Sequence, residues 1–186
     1  APILDKQGCS VAECHGKFGG RGGFQVSLLT LSPEDDYEPI VLGQRGRRIN
    51  LAVPEQSLFL LKATGSVPHV GGQRFRVDST EYKTIVDWIK QGAQFEDSAP
   101  KLKAVTVMPS NAVIPAVGKK LQIKVMADFT DGSIRDVTRQ AVYQSTNQGS
   151  FSIDGNGSVT GLRWGGGAII ARYLGTVTAS FITLPQ

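Results

Sequence analysis

A chain of 186 residues with 40% hydrophobic and 19% charged residues has the composition of a folded globular protein, which excludes a disordered or fibrous polymer. No apolar run approaches the length of a membrane-spanning helix, and residues 1–20 lack a signal-peptide layout, so the segment reads as a mature or truncated chain with no membrane partner indicated. The net charge of +4 is uneven: residues 1–97 hold 11 Lys and Arg against 12 Asp and Glu, net −1, and residues 98–186 hold 9 against 4, net +5. The one tight basic cluster, Arg45, Arg47 and Arg48, has no interleaved aromatics, so a nucleic-acid partner is not expected.

In chain order, the first feature is Cys9-Ser-Val-Ala-Glu-Cys14-His15, which contains both cysteines of the chain. Gly16, Gly19, Gly20, Gly22 and Gly23 follow as a pliable loop. Asp35–Leu42 and Ser57–Ala63 are candidate short helices. His69, the second of two histidines, stands in Val67-Pro68-His69-Val70-Gly71-Gly72. A longer helix is expected to start at Asp78, with Glu81 completing a capping box. Tyr82, Ile85, Val86 and Ile89 recur at helical spacing and Gly92 is the stop.

Phe95–Lys101 reads as a linker, and beyond it the period becomes two. Leu121, Ile123, Val125, Ala127 and Phe129 alternate with Gln122, Lys124 and Asp128, the pattern of a half-buried strand. Asp131-Gly132 is a hairpin signal. Further strands are expected at Ala104–Met108, Ala141–Gln144, Ser150–Ile153, Ser158–Thr160, Ala168–Tyr173 and Thr176–Leu184. Short strands punctuated by turns predict an immunoglobulin-like β-sandwich over residues 98–186.

Two thiols with a histidine beside the second suit covalent haem c attachment, with Cys9 and Cys14 as thioethers and His15 as the proximal iron ligand. The usual spacing is C-x-x-C-H, and here four residues separate the cysteines. On a continuous helix residues five apart diverge by about 140°, so the turn must unwind. His69 is the candidate distal ligand, because both methionines, Met108 and Met126, lie in the β-rich half. Phe18, Phe24, Leu28, Phe59 and Phe75 are candidates to line such a pocket, Trp88 to pack behind it, and Arg47, Arg48 and Arg74 to pair with propionates. Two other readings stay open on the residues alone: a structural disulfide and a zinc site on Cys9, Cys14, His15 and His69.

The first half resembles the cytochrome c domain found near the N-terminus of many large planctomycete proteins. The resemblance is carried by Gly8–Gly16, Leu31–Tyr37, Gly46–Asn50, Pro54–Leu58, Leu61–His69, Arg74-Phe75, Asp78-Ser79 and Trp88-Ile89. It implies a mainly α haem-binding domain over residues 1–97, with Cys9 and Cys14 holding the haem and His15 on the iron. The second half resembles bacterial immunoglobulin-like domains of group 2, through Val107–Pro109, Phe129–Ser133, Arg135–Thr138, Gly157–Gly161 and Ala168–Gly175. Together they imply an exported electron-transfer module, periplasmic or on the cell surface, rather than an enzyme in its own right. Its redox partner is unspecified and further domains are expected downstream. The alternatives are a haem sensor or catalytic haem with an open sixth site, and an adhesive or structural exported module whose cysteines form a disulfide.

Overall fold

The computed structural model describes residues 1–17 and 19–186. The chain divides into two compact units, built essentially from Ile3–Ala99 and Pro100–Gln186.

The first unit is a string of short elements: α1 (Pro2–Lys6), α2 (Pro33–Tyr37), α3 (Leu58–Ala63) and α4 (Thr80–Lys90), of five, five, six and eleven residues. Proline occupies the first turn of α1 and α2, where its missing N–H costs nothing. The chain after α2 continues as one wide turn over Glu38–Leu42. Three-residue 3₁₀ turns and loops join the rest. The expectation of a mainly α domain over residues 1–97 is therefore wrong: helical residues make up 22% of the whole chain. The physical reason is the frequency of left-handed backbone, at Leu29, Thr30, Gln44 and Arg45 as well as at Gly8, Gly22, Gly23 and Gly46, a conformation that an α-helix cannot continue through.

α4 forms where the periodicity placed it, but its cap lies one residue later. The Ser79 hydroxyl accepts the Tyr82 N–H at 3.2 Å, while Asp78 pairs with Arg76 at 3.1 Å on the surface. Ile85, Val86 and Ile89 pack with Leu60 and Ala63 of α3 and with Phe75 in one apolar cluster. Leu4, Val26 and Ile40 form a second, smaller cluster, flanked by Phe24 and Phe59. Between the clusters, loops are tied by polar bonds. The buried Asp36 carboxylate accepts both the N–H and the hydroxyl of Ser27. Its own burial raises its pKa, against those bonds.

The second unit has ten strands in three sheets: β1 (Leu102–Met108), β4 (Lys124–Phe129) and β5 (Ile134–Asp136); β2 (Asn111–Val113), β10 (Thr176–Leu184), β9 (Gly165–Tyr173) and β6 (Val142–Ser145); and β3 (Lys120–Gln122), β8 (Ser158–Gly161) and β7 (Phe151–Ile153). All pairings are antiparallel except β2 with β10. The single strand read at Leu121–Phe129 is broken at Ile123, whose N–H donates to Gly157 at 2.9 Å. Below the break β3 joins β8, and above it β4 joins β1. The alternation survives: Ile123, Val125 and Ala127 are fully buried and Phe129 nearly so. The short strands β2 and β5, which sequence periodicity did not mark, cover edges of these sheets. Sixteen buried side chains from all three sheets and their connections form one core around Phe151, Ile169 and Ile182.

A candidate ligand cavity in the N-terminal unit

The chain from Cys9 to Val26 is folded by its own backbone. The His15 N–H donates to the Cys9 carbonyl at 3.0 Å and the Cys14 N–H to Val11 at 3.0 Å, closing a tight loop around the Ser-Val-Ala-Glu insertion. Val26 then donates to His15 at 2.8 Å and Lys17 to Val26 at 2.9 Å, clamping the glycine-rich segment between them. Gly16 is required here, because a Cβ at that position would strike the Ser10 carbonyl. The loop brings Cys9, Cys14 and His15 to the wall of a cavity of about 340 Å³.

His69 reaches the same cavity from the loop after α3, as do Phe59 from α3 itself and Phe75 beyond the loop. The two imidazoles lie parallel, 4° apart in plane, with ring centroids 6.2 Å apart. His15 Nδ1 bonds the Phe24 carbonyl at 3.0 Å and His69 Nδ1 the Gly72 carbonyl at 2.8 Å. A carbonyl only accepts, so both rings carry a proton on Nδ1, and in the neutral rings Nε2 holds the lone pair. Burial lowers the pKa of His15, against the bond to Phe24. Burial pushes the Cys9 thiol up to about 11, with the Arg74 guanidinium pulling the other way.

Of the residues singled out in the sequence, Cys9, Cys14, His15, His69, Phe24, Phe59, Phe75, Arg47, Arg48 and Arg74 all line this cavity. Phe18 lies outside the described residues. Leu28 does not line the cavity and is 41% exposed. Trp88 packs beside both apolar clusters and donates its indole N–H to Gln94.

Two of the three arginines are structural ties. Arg48, 6% exposed, donates to the Pro39, Gly43 and Gly23 carbonyls at 3.0–3.2 Å and stacks on Phe24 at 4.8 Å. Arg74 donates to Gln7 and Gly71, joining segments 67 and 3 residues away in sequence. Arg47 alone of the three is exposed. The sequence did not mark Arg21 or Lys62, which also line the cavity. Arg21 sits inside the glycine run already read as a loop, its N–H bonded to the Cys14 carbonyl at 3.0 Å. Lys62 lies on α3 and donates to the Pro68 carbonyl.

No family model matches the chain. An S-layer-related protein of Niallia circulans is 35% identical over 89 residues, covering 41% of this chain and 5% of that protein. Two solved structures of the S-layer protein SbsC are also similar. Its domains 4 and 5 give a TM-score of 0.40 at 16% identity, covering 47% of this chain and 54% of theirs. Its domains 1–6 give 0.39 at 18%, covering 46% and 13%.

These findings correct the cytochrome reading. Neither a cytochrome c family nor a group 2 immunoglobulin-like family matches, and the curated relative is S-layer-related. The expectations of a haem c cofactor, of iron ligation by His15 and His69 as its consequence, and of an electron-transfer function lose the resemblance on which they rested. Among the described residues no group of three or more His, Cys, Asp or Glu side chains gathers closely enough to hold a metal ion. Among them, too, no helix is long and apolar enough to cross a membrane.

Proposed function

We propose that this chain is a structural segment of an exported cell-surface protein, with its β-rich unit serving as a rigid spacer between further domains. The observation that carries the reading is the 35% identity to an S-layer-related protein. The chain spans 5% of that relative's length, which fits one segment among many in a long surface chain. A single sixteen-residue core gives the β-unit the stiffness a spacer needs. Surface biotinylation of intact cells carrying the full-length protein tests this. Labelling of the chain without lysis is expected, and labelling only after lysis overturns it.

The cavity supports a second role within that segment: a ligand site for a small apolar anion. Its lining combines Phe24, Phe59, Phe75, Leu4 and Leu58 with a rim of Arg21, Arg47 and Lys62, backed by the tied guanidiniums of Arg48 and Arg74, and contains no carboxylate. Apolar walls bind by burial, and a cationic rim without counter-charges selects sign. An anionic naphthalene sulfonate dye is the test ligand. Binding that weakens in Arg47→Ala and Phe59→Ala, with the fold intact by circular dichroism, is expected. A dye that ignores both substitutions sinks the site.

A further inference from the structure

The sheets of the β-unit differ in what they turn outward. On the β1–β4–β5 sheet the outward positions include Lys124, Asp128 and Asp136, the polar surface expected where an antiparallel sheet meets water. On the β2–β10–β9–β6 sheet, Ser180, Ile182 and Leu184 of β10 point into the core, so by alternation Val177, Ala179 and Phe181 point out. The register sets Ala168 of β9 opposite Phe181, Ile170 opposite Ala179, and Val113 of β2 beside Thr183. Phe181, Val177 and Val113 are 60%, 58% and 63% exposed. Among the described residues the only charged side chain on this face is Arg172, opposite Val177. Apolar side chains gathered on one exposed face mark a contact surface.

The face also has relief. Phe181 stands out from β10, and the positions opposite and diagonal to it on β9 hold only Ala168 and Gly166. A Cβ built on Gly166 would meet no atom within 4 Å, so the side chain missing there leaves an open hollow. Knob and hollow lie side by side on one surface, which a two-fold axis makes self-complementary: each copy inserts its knob where the other has its hollow.

We propose that the outer face of the β2–β10–β9–β6 sheet is a homodimer interface, in which a second copy of this chain packs face to face and Phe181 of each copy sits over Gly166 and Ala168 of the other. A face with one cation and no carboxylate offers little to recognise a charged partner, whereas a second copy brings the matching shape. Strands β9 and β10, of nine residues each, run about 30 Å, and with β2 and β6 the sheet presents about 400 Å² of flat footprint per copy. Protruding side chains raise the accessible area above that. The contact is at the small end of specific interfaces, and the dimer is weak, with a Kd of about 10–100 μM. Self-association is independent of the surface-spacer role: a chain that dimerises yet escapes labelling on intact cells keeps the dimer and loses the spacer.

Sedimentation equilibrium of the full chain over about 1–500 μM, a range that brackets that Kd, tests the interface. A monomer–dimer equilibrium is expected. Phe181→Ser should weaken it at least about 30-fold, because the two-fold axis removes the anchor from both sides. Gly166→Val fills the hollow with a residue that suits a strand, at a position whose φ is not positive, and should weaken the dimer at least about tenfold. Both positions are exposed, so the thermal midpoint by circular dichroism should match the parent's. Should either variant lose the fold, the other carries the test. A chain that stays monomeric throughout, or a dimer indifferent to a folded variant of either kind, overturns the interface. A monomer that sediments with phosphatidylglycerol vesicles also overturns it, by giving the face to a lipid surface.

Discussion

The two units of this chain are held together by different means. The β-unit encloses sixteen buried side chains in one cluster. The N-terminal unit, of similar length, has nine in two clusters among its described residues. What the second lacks in apolar burial it replaces with single polar side chains that reach several backbone carbonyls at once, Arg48 foremost. A fold of the first kind tolerates change anywhere but its core. One of the second kind has its weak points at individual hydrogen bonds, next to its cavity. The tryptophans make the contrast measurable, since Trp88 lies in one unit and Trp164 in the other.

The largest expected effect is in the β-unit. Phe151 is fully buried at the centre of its core, and Phe151→Ala should cost about 3–5 kcal/mol through lost burial and the cavity left behind. Urea denaturation followed by Trp164 fluorescence, in a Trp88→Phe background, reads it. A loss under about 1 kcal/mol would mean that the core is loosely packed and the contrast false.

Next comes Arg48→Met, which keeps the apolar stem and removes the guanidinium. Three backbone carbonyls lose their donor in a largely buried place, and a cost of about 2–3 kcal/mol follows. Trp88 fluorescence in a Trp164→Phe background reports it. The conservative apolar change Phe59→Leu, at the residue whose N–H bonds the Arg48 carbonyl, should cost under about 1.5 kcal/mol. If Phe59→Leu is the more damaging of the two, the N-terminal unit is an ordinary apolar core after all.

The same contrast explains what could be read from the sequence. Period-two alternation located the strands from Leu121 to Leu184 other than β5, because in a half-buried strand it is burial that sets the residue type, and all three residues of β5 are exposed. It missed the break at Ile123, since switching sheets does not change which side chains face inward. In the N-terminal unit the helix at Thr80–Lys90 was legible for the same reason. The loops were not, because a guanidinium that ties Pro39, Gly43 and Gly23 leaves no periodic trace. At the cavity, Cys9, Cys14, His15 and His69 were singled out by residue type and do converge. Arg21 and Lys62 were not, because a surface cation on a loop or short helix looks the same whether or not a cavity lies beneath it.

A smaller effect tests the one regular element of the N-terminal unit. Ser79→Ala removes the oxygen that accepts the Tyr82 N–H and should cost about 1 kcal/mol. Asp78→Ala should cost under about 0.5 kcal/mol, because that carboxylate only pairs with Arg76 at the surface. The reverse order would restore Asp78 as the cap. Both are read from the Trp88 transition.

The smallest effect is a pH dependence confined to one unit. His15 has its pKa lowered in the fold, chiefly by burial, with the bond to Phe24 opposing. The unfolded chain therefore binds a proton more readily than the folded one. Stability rises with pH across the window between the folded value and the ordinary value of about 6.5, and is lost as pH falls through it. Asp36, whose pKa is raised by burial, acts with the opposite sign and in a lower window, starting from the ordinary carboxylate value of about 3.9. The Trp88-reported denaturation midpoint should thus fall between about pH 7 and pH 5, and His15→Gln should flatten that slope. The Trp164-reported midpoint supplies the control. Its unit contains no histidine, and Asp131 and Asp136 are held below the usual carboxylate range by their bonds to Ser133 and Thr138. Equal slopes at both tryptophans would mean that the two units share one titrating group and unfold together.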